Sequence, residues 1–266
     1  MSIKELVNLY VAKGMTLEQA ESFACQQIVL NKIAKSPMTN QVLIKGGVLM
    51  FNMTHSLRRV TTDIDFDFIK YSISDVSIKY FIDLLNKYDL QFKIKILKLQ
   101  PLHQEDYNGK RVSTLISDNT YKIRFKLDIG VHTLFDIEQS SACFSFSNDK
   151  EDFVLKVNPC EQIFAEKLYS LAKHSVLSTR YKDIFDMYYL IVNSLLNDEI
   201  VKKCLHHLLE DNNRGLKQIS DIYRVVKIVF SDDGYIQNIK TTKDKWIDED
   251  YEAIFSRILE YIKSLK

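Results

Sequence analysis

Glycine and proline are scarce in this 266-residue chain, which holds seven of the first and three of the second. That excludes a collagen-like or low-complexity protein. With 46% apolar, 11% aromatic and 27% charged residues, it also argues against long disordered stretches. Cysteine is scarce too. Cys25, Cys143, Cys160 and Cys204 lie far apart, with no Cys-x-x-Cys and no Cys/His pairing. A disulfide framework and a zinc site are both poor readings, and reduced, mostly buried thiols are expected. His206 and His207 do not alter this, because adjacent residues on a helix point in different directions. Neither sign of charge dominates: 36 Lys and Arg stand against 35 Asp and Glu, a net +1. No bulk field advertises a nucleic-acid partner, although a local basic face stays open. No apolar run approaches the ~20 residues that span a bilayer. The start, "MSIKELVNLYVAKG", has neither the apolar core nor the small-residue cleavage site of a secretory signal. The expected location is the cytoplasm, with no membrane partner.

Periodicity divides the chain. Ile3, Leu6, Val7 and Tyr10 have helical spacing, and a second helix follows Thr16 as N-cap, with Glu18 and Gln19 in its first turn. Pro37 closes this helical lead-in, residues 1–36. "QVLIKGG" reads as a short strand that breaks at the glycines, "VLMFNM" as a helix starting on them, and "TDIDFDFIK" as an alternating strand. "SDVSIKYFIDLLNKY" reads as an amphipathic helix with Val76, Tyr80, Phe81, Leu84 and Leu85 on one face. "LQFKIKILKLQ", "RVSTLIS" and "TYKIRFKLDIGVH" read as mostly antiparallel strands, with a turn at Ser117-Asp118-Asn119, and "DFVLKVN" as a last strand. From Pro159 the period changes to 3.6 in five segments: "PCEQIFAEKLYSLAKH", "TRYKDIFDMYYLIVNSLL", "EIVKKCLHHLLEDN", "LKQISDIYRVVKIVF" and "DYEAIFSRILEYIKSL". The expectation is an α+β domain over residues 1–157, a mixed sheet flanked by helices, followed by a helical bundle over 158–266.

The chemistry concentrates in "KGGVLMFNMTHSLRRVTTDIDFDF". On a strand, Asp63, Asp65 and Asp67 share one face and Ile64, Phe66 and Phe68 the other. Acids so placed repel one another unless a cation sits among them. Asp-x-Asp suits Mg²⁺, which takes one or two carboxylates and completes its shell with phosphate oxygens. An edge strand kept soluble by its acids is the plainer alternative. Gly46-Gly47, between a strand and a helix, lets backbone approach a phosphate at a helix N-terminus, and equally suits a tight turn. Asp128 shares a polar strand face with Arg124 and Lys126, either of which is a possible partner. As a third carboxylate from a neighbouring strand it would let two cations be held for displacement at phosphorus. In the helical half, Lys167, Arg180, Lys182, Asp183 and Asp186 crowd an otherwise apolar segment, with Asp183 and Asp186 one turn apart. Lys93, Lys95 and Lys98, with Lys122, Arg124 and Lys126, offer a basic strand surface for RNA, or simply solubility.

The succession Lys-Gly-Gly, then Arg59-x-Thr61-x-Asp63-x-Asp65, then a strand acid, then Lys…Arg…Lys-Asp-x-x-Asp resembles the AbiEii/AbiGii-type nucleotidyltransferase toxins of the polymerase-β-like superfamily. The resemblance spans roughly residues 40–192. It implies a nucleotidyltransferase core joined to a helical domain, NTP as substrate, and Mg²⁺ or Mn²⁺ as cofactor. It further implies toxin activity in a bacterial toxin–antitoxin or phage-defence pair, a cognate antitoxin as partner, and an RNA (in some members a tRNA 3′ end) or protein acceptor. Carried over, Lys45, Gly46 and Gly47 would hold the triphosphate, Asp63 and Asp65 would bind metal, and Asp128 would be the third carboxylate. Lys167 would neutralise phosphate charge, Asp183 or Asp186 would complete a second cluster with Arg180, and Arg59 and Thr61 would shape the loop before the acids. The chain departs from the family at Lys182, often Arg there, and at Gly47, where Gly-Ser is more usual. The alternatives are a metal-dependent nuclease using the same acids and a non-enzymatic module whose acids face a basic partner. Asp67 has no role in any of these readings.

Overall fold

Ser2 and Thr16 form capping boxes with Glu5 and Gln19 and so open α1 (Ile3–Ala12) and α2 (Leu17–Lys35). The computed structural model describes residues 1–102, 109–147, 149, 151–210 and 215–266. Among these, two compact units separate, one of residues 1–135 with 139–158 and one of 136–138 with 159–266.

The first unit is built on a mixed sheet of seven strands. They are β1 (Val42–Ile44), β2 (Ile64–Phe68), β3 (Lys93–Pro101), β4 (Lys110–Ser117), β5 (Lys122–Val131), β6 (Ser140–Ser145) and β7 (Asp152–Val157). Their spatial order is β3-β4-β5-β2-β1-β7-β6, with β1/β7 and β2/β5 parallel and the other pairs antiparallel. Two more helices belong here, α3 (Gly46–Thr54) and α4 (Asp75–Tyr88). Phe66 and Phe68, fully buried on β2, meet Phe81 of α4 at ring-centroid distances of 5.8 and 5.0 Å. Each such side chain taken from water is worth about 1.5–3 kcal/mol, which fastens α4 to the centre of the sheet. The buried face of α4 is Ile78, Phe81, Ile82 and Leu85. The expected face is therefore corrected: Val76 and Tyr80 are 77% and 57% exposed. Phe81 and Leu85 belong to both readings, but the rings of β2 select the stripe one step round the helix.

Strand β6 escapes sequence reading because only Phe144 of "SSACFS" is buried; it is an edge strand that forms by pairing with β7. The thiol expectation holds for Cys25 and Cys204, which are buried, whereas Cys143 is exposed and Cys160 half-buried; all four are free.

The second unit is helical, with α5 (Cys160–His174), α6 (Tyr181–Val192), α7 (Asp198–Glu210), α8 (Ile219–Val229), α9 (Asp233–Thr241) and α10 (Tyr251–Ser264). The expected α6 ran on to Leu196, but Ser194 takes a positive φ of 54° and ends it. Asp211 and Asn212, expected in α7, lie outside the described residues. Helix α9 was not expected: its apolar stripe is only Tyr235 and Ile239, and it forms behind Asp232, which accepts from Tyr235 N at 2.8 Å. Among the described residues no helix is long and apolar enough to cross a membrane.

Candidate active site

Strand β1 ends at Ile44, and Lys45 N donates to Asp65 O at 3.0 Å, so the turn into α3 lies directly against the acidic strand. Gly46 there has φ +60°, and a Cβ at that position would stand 2.9 Å from Asp65 Oδ2. A Cβ at Gly47 would stand 2.7 Å from Thr61 Cβ. The glycine pair is thus required by the side chains of Asp65 and Thr61, which rest on it. Thr61 Oγ1 in turn donates to Asp63 Oδ1 at 2.6 Å. Gln26, buried on α2, holds the same loop from beneath: its Nε2 donates to the carbonyls of Thr61 at 2.7 Å and Asp63 at 3.2 Å. Arg59 closes a short 3-10 turn, Leu57–Arg59, and is buried. Asp63 itself precedes β2, so only Asp65 and Asp67 lie within the strand.

Asp67 acquires a partner. It is 2% exposed and its Oδ2 lies 2.9 Å from Lys45 Nζ. The Lys45 ammonium, which the family resemblance assigns to the triphosphate, is here held by Asp67, so a buried acid and its base neutralise one another beside the turn.

Asp128 sits on β5 opposite Asp65 in the parallel β2/β5 register. Its partner is neither Arg124 nor Lys126 but Arg111 of β4, directly across the β4/β5 pair. Arg111 Nε donates to Asp128 Oδ1 at 2.8 Å and Nη2 to Oδ2 at 2.6 Å, a two-pronged charged pair. Those hydrogen bonds first, then the charges of Asp128, Asp63 and Asp65, hold the guanidinium more firmly protonated than usual against its partial burial. Asp128 thus holds this cation directly, while Asp63 and Asp65 act on it through their charge. Sequence reading missed Arg111, although counting back from the hairpin turn (Ser117 opposite Lys122) brings Arg111 opposite Asp128. All three acids offer oxygen donors only, the chemistry that hard divalent cations require. Among the described residues, however, no three His, Cys, Asp or Glu side chains stand gathered as a ready metal-binding group.

The other expected residues belong to the second unit. Lys167 Nζ of α5 pairs with Asp183 and, at 2.9 Å, with Asp186 Oδ2, both on α6. Asp186 is 0% exposed, and its Oδ1 accepts from Trp246 Nε1 at 3.1 Å. Arg180 is an exposed N-cap residue whose carbonyl accepts from Asp183 N at 3.1 Å. Tyr235 is buried close by; burial first, then Tyr181 and Asp183, push its phenol pKa up. Trp246 was not expected, because a lone tryptophan beyond the last motif carries no spacing signal.

Residues 28–264 match the family model described as nucleotidyl transferase AbiEii toxin, type IV toxin–antitoxin system. The chain belongs to this family. The AbiEii assignment takes in nearly the whole described chain, both units included, and makes the protein a nucleotidyltransferase. No curated protein matches the chain. Among solved structures, it is similar to a candidate nucleotidyltransferase from H. pylori, with 13% identity, 94% of this chain and 96% of that chain covered, and a TM-score of 0.54. It is also similar to JHP933 from Helicobacter pylori, with 16% identity, 94% and 93% covered, and a TM-score of 0.47. At that identity the first of these bears on the fold alone: an α+β architecture with a mixed sheet, as in nucleotidyltransferase structures.

Proposed function

We propose that this AbiEii-family chain transfers an NMP from an NTP to a hydroxyl of RNA, with a tRNA 3′ end as the first acceptor to test. In that reaction the acceptor oxygen attacks the α-phosphorus, the bond to the β-phosphate oxygen breaks, and pyrophosphate leaves. The observation that supports this reading best is the β2/β5 register, which sets Asp65 opposite Asp128 while the Asp65 side chain rests on the glycine turn. Asp63, oriented by Thr61, and Asp65, seated on Gly46, would hold Mg²⁺ or Mn²⁺ together with Asp128. When bound, such a cation neutralises phosphate charge and steadies the leaving pyrophosphate. The N-terminal amides of α3, at Gly46 and Gly47, lie next to these acids and suit phosphate oxygens. Lys45 serves this arrangement by neutralising Asp67, which keeps that acid out of the metal set. Asp128, freed of Arg111, would accept the proton of the attacking hydroxyl. In the second unit, Asp183 and Asp186 fix the Lys167 ammonium as a cluster of its own.

The sheet supports a polyanionic acceptor. Across β3, β4 and β5 the register forms the rows Lys93–Ser117–Lys122, Lys95–Leu115–Arg124, Lys98–Ser113–Lys126 and Gln100–Arg111–Asp128. The Lys and Arg side chains of the first three rows are exposed. They form a basic face that leads, row by row, to Asp128, which suits a nucleic-acid backbone more than a protein side chain. As in other type IV systems, a cognate antitoxin would oppose the activity. The test is labelled NTP with Mg²⁺ and total RNA: RNA takes label with the wild type and loses it with Asp63→Asn. RNA cleavage without NTP would mean a nuclease, and no labelling with any NTP would overturn the reading.

A further inference from the structure

Asp128 gives both its carboxylate oxygens to one side chain, Arg111, at 2.8 and 2.6 Å. The charges of Asp63 and Asp65 act on the same guanidinium. Among the described residues these acids do not form a gathered metal-binding group, although their donors suit one. Building on the metal-dependent reading above, we propose that Arg111 is a stand-in cation: it holds Asp128 and offsets Asp63 and Asp65 until a divalent cation displaces it.

Three features of the placement support an exchange over a fixed pair. The first is charge. Carboxylates brought together by strand register need a counter-ion in the metal-free chain, and Arg111 is the cation that Asp128 binds. A divalent cation at the same acids brings like charge against the guanidinium, so full occupancy by both is disfavoured. The second is access. The Arg111 side chain is 42% exposed whereas that of Asp128 is 13% exposed, so the arginine approaches from the solvent side and can leave without opening the core. The third is where it goes. In its own row the other neighbour is Gln100 of β3, and the adjacent row carries Lys98 and Lys126, so no acid in these rows recaptures it. Arg111 is on this view a positioning residue that guards the acids.

The test is Mn²⁺ binding by the full-length chain without nucleotide, read by electron paramagnetic resonance of free Mn²⁺. Wild type, Arg111→Gln, Arg111→Lys and Asp65→Asn are compared, the last marking which binding belongs to this site. Displacement makes Mn²⁺ bind Arg111→Gln more tightly than wild type by about fivefold or more, the lower end of the range for two ligands opposed through a shared group. Arg111→Lys, which keeps the charge but loses the two-pronged geometry, falls between them. If Arg111→Gln fails to fold by circular dichroism, the lysine variant carries the comparison. A merely structural cross-strand pair gives equal or weaker Mn²⁺ binding in the folded variants. That result overturns the proposal and leaves the metal-dependent reading intact. Absence of Asp65-dependent Mn²⁺ binding in every protein overturns both.

Discussion

Replacing Gly46 by alanine perturbs the site at a single added carbon. The residue holds φ +60°, where a side chain costs roughly 1–2 kcal/mol. The new Cβ would also stand 2.9 Å from Asp65 Oδ2, so the carboxylate must rotate, for about 0.5–1.5 kcal/mol more. Restricting the unfolded chain returns about 0.4–1 kcal/mol, so the net loss is about 0.5–3 kcal/mol. Gly215 provides the comparison: its φ is +80° and, among the described residues, nothing lies within 4 Å of its would-be Cβ. Gly215→Ala therefore carries the backbone term alone. In urea unfolding followed by circular dichroism, Gly46→Ala should lose more stability than Gly215→Ala. Nucleotide transfer should separate them further. Moving Asp65 by a fraction of an ångström to an ångström costs up to about 100-fold in rate, whereas Gly215→Ala leaves it unchanged. A Gly46→Ala protein with full transfer and a stability loss no greater than Gly215→Ala would refute the claim that the glycine exists to seat Asp65.

Lys167→Met strands the fully buried Asp186 and should cost about 3–5 kcal/mol, of which Lys167→Met with Asp186→Leu recovers a part; because Trp246 is the only tryptophan and bonds Asp186, its fluorescence reads this change directly. Equal stability of the single and double variants would contradict the buried-pair account. Lys32, buried on α2 with its Nζ 2.7 Å from Asp89 O, has its pKa lowered by burial, an effect that Asp89 opposes. Because the folded pKa lies below the unfolded value near 10.4, the penalty for the charged form is complete below the folded pKa and fades as pH rises towards about 10.4. Wild type should therefore gain stability relative to Lys32→Met over that alkaline range, and a constant difference would show that the lysine is not penalised.

Much of the first unit was legible because its signals are local. Thr16 with Gln19 marks a helix start, and alternation in "IDFDF" and "YKIRFKLDIG" marks strands whose polar residues face one way. Alternation put Asp65 and Asp128 each on the polar face of its strand, whereas their pairing comes from the β2/β5 register. What escaped was set by partners distant in sequence. The α4 stripe is chosen by Phe66 and Phe68, not by its own periodicity, and β6 exists through β7. Gln26 supports the Thr61–Asp63 loop from a helix that precedes it by 35 residues, and no pattern in α2 announces this. Arg111 is the instructive case, because its partner followed from hairpin register once the turn was located. Asp67 finds no role in the sequence because its base, Lys45, stands at the end of another strand, next to the glycine turn.

The central claim is that Asp65 belongs to a metal-dependent nucleotidyl-transfer site. The most direct measurement compares wild type and Asp65→Asn, matched for fold by circular dichroism, with each labelled NTP, Mg²⁺ and total RNA. The expected result is label in RNA for wild type, abolished by chelation of the metal and absent in Asp65→Asn. Undiminished labelling of RNA by Asp65→Asn would contradict it.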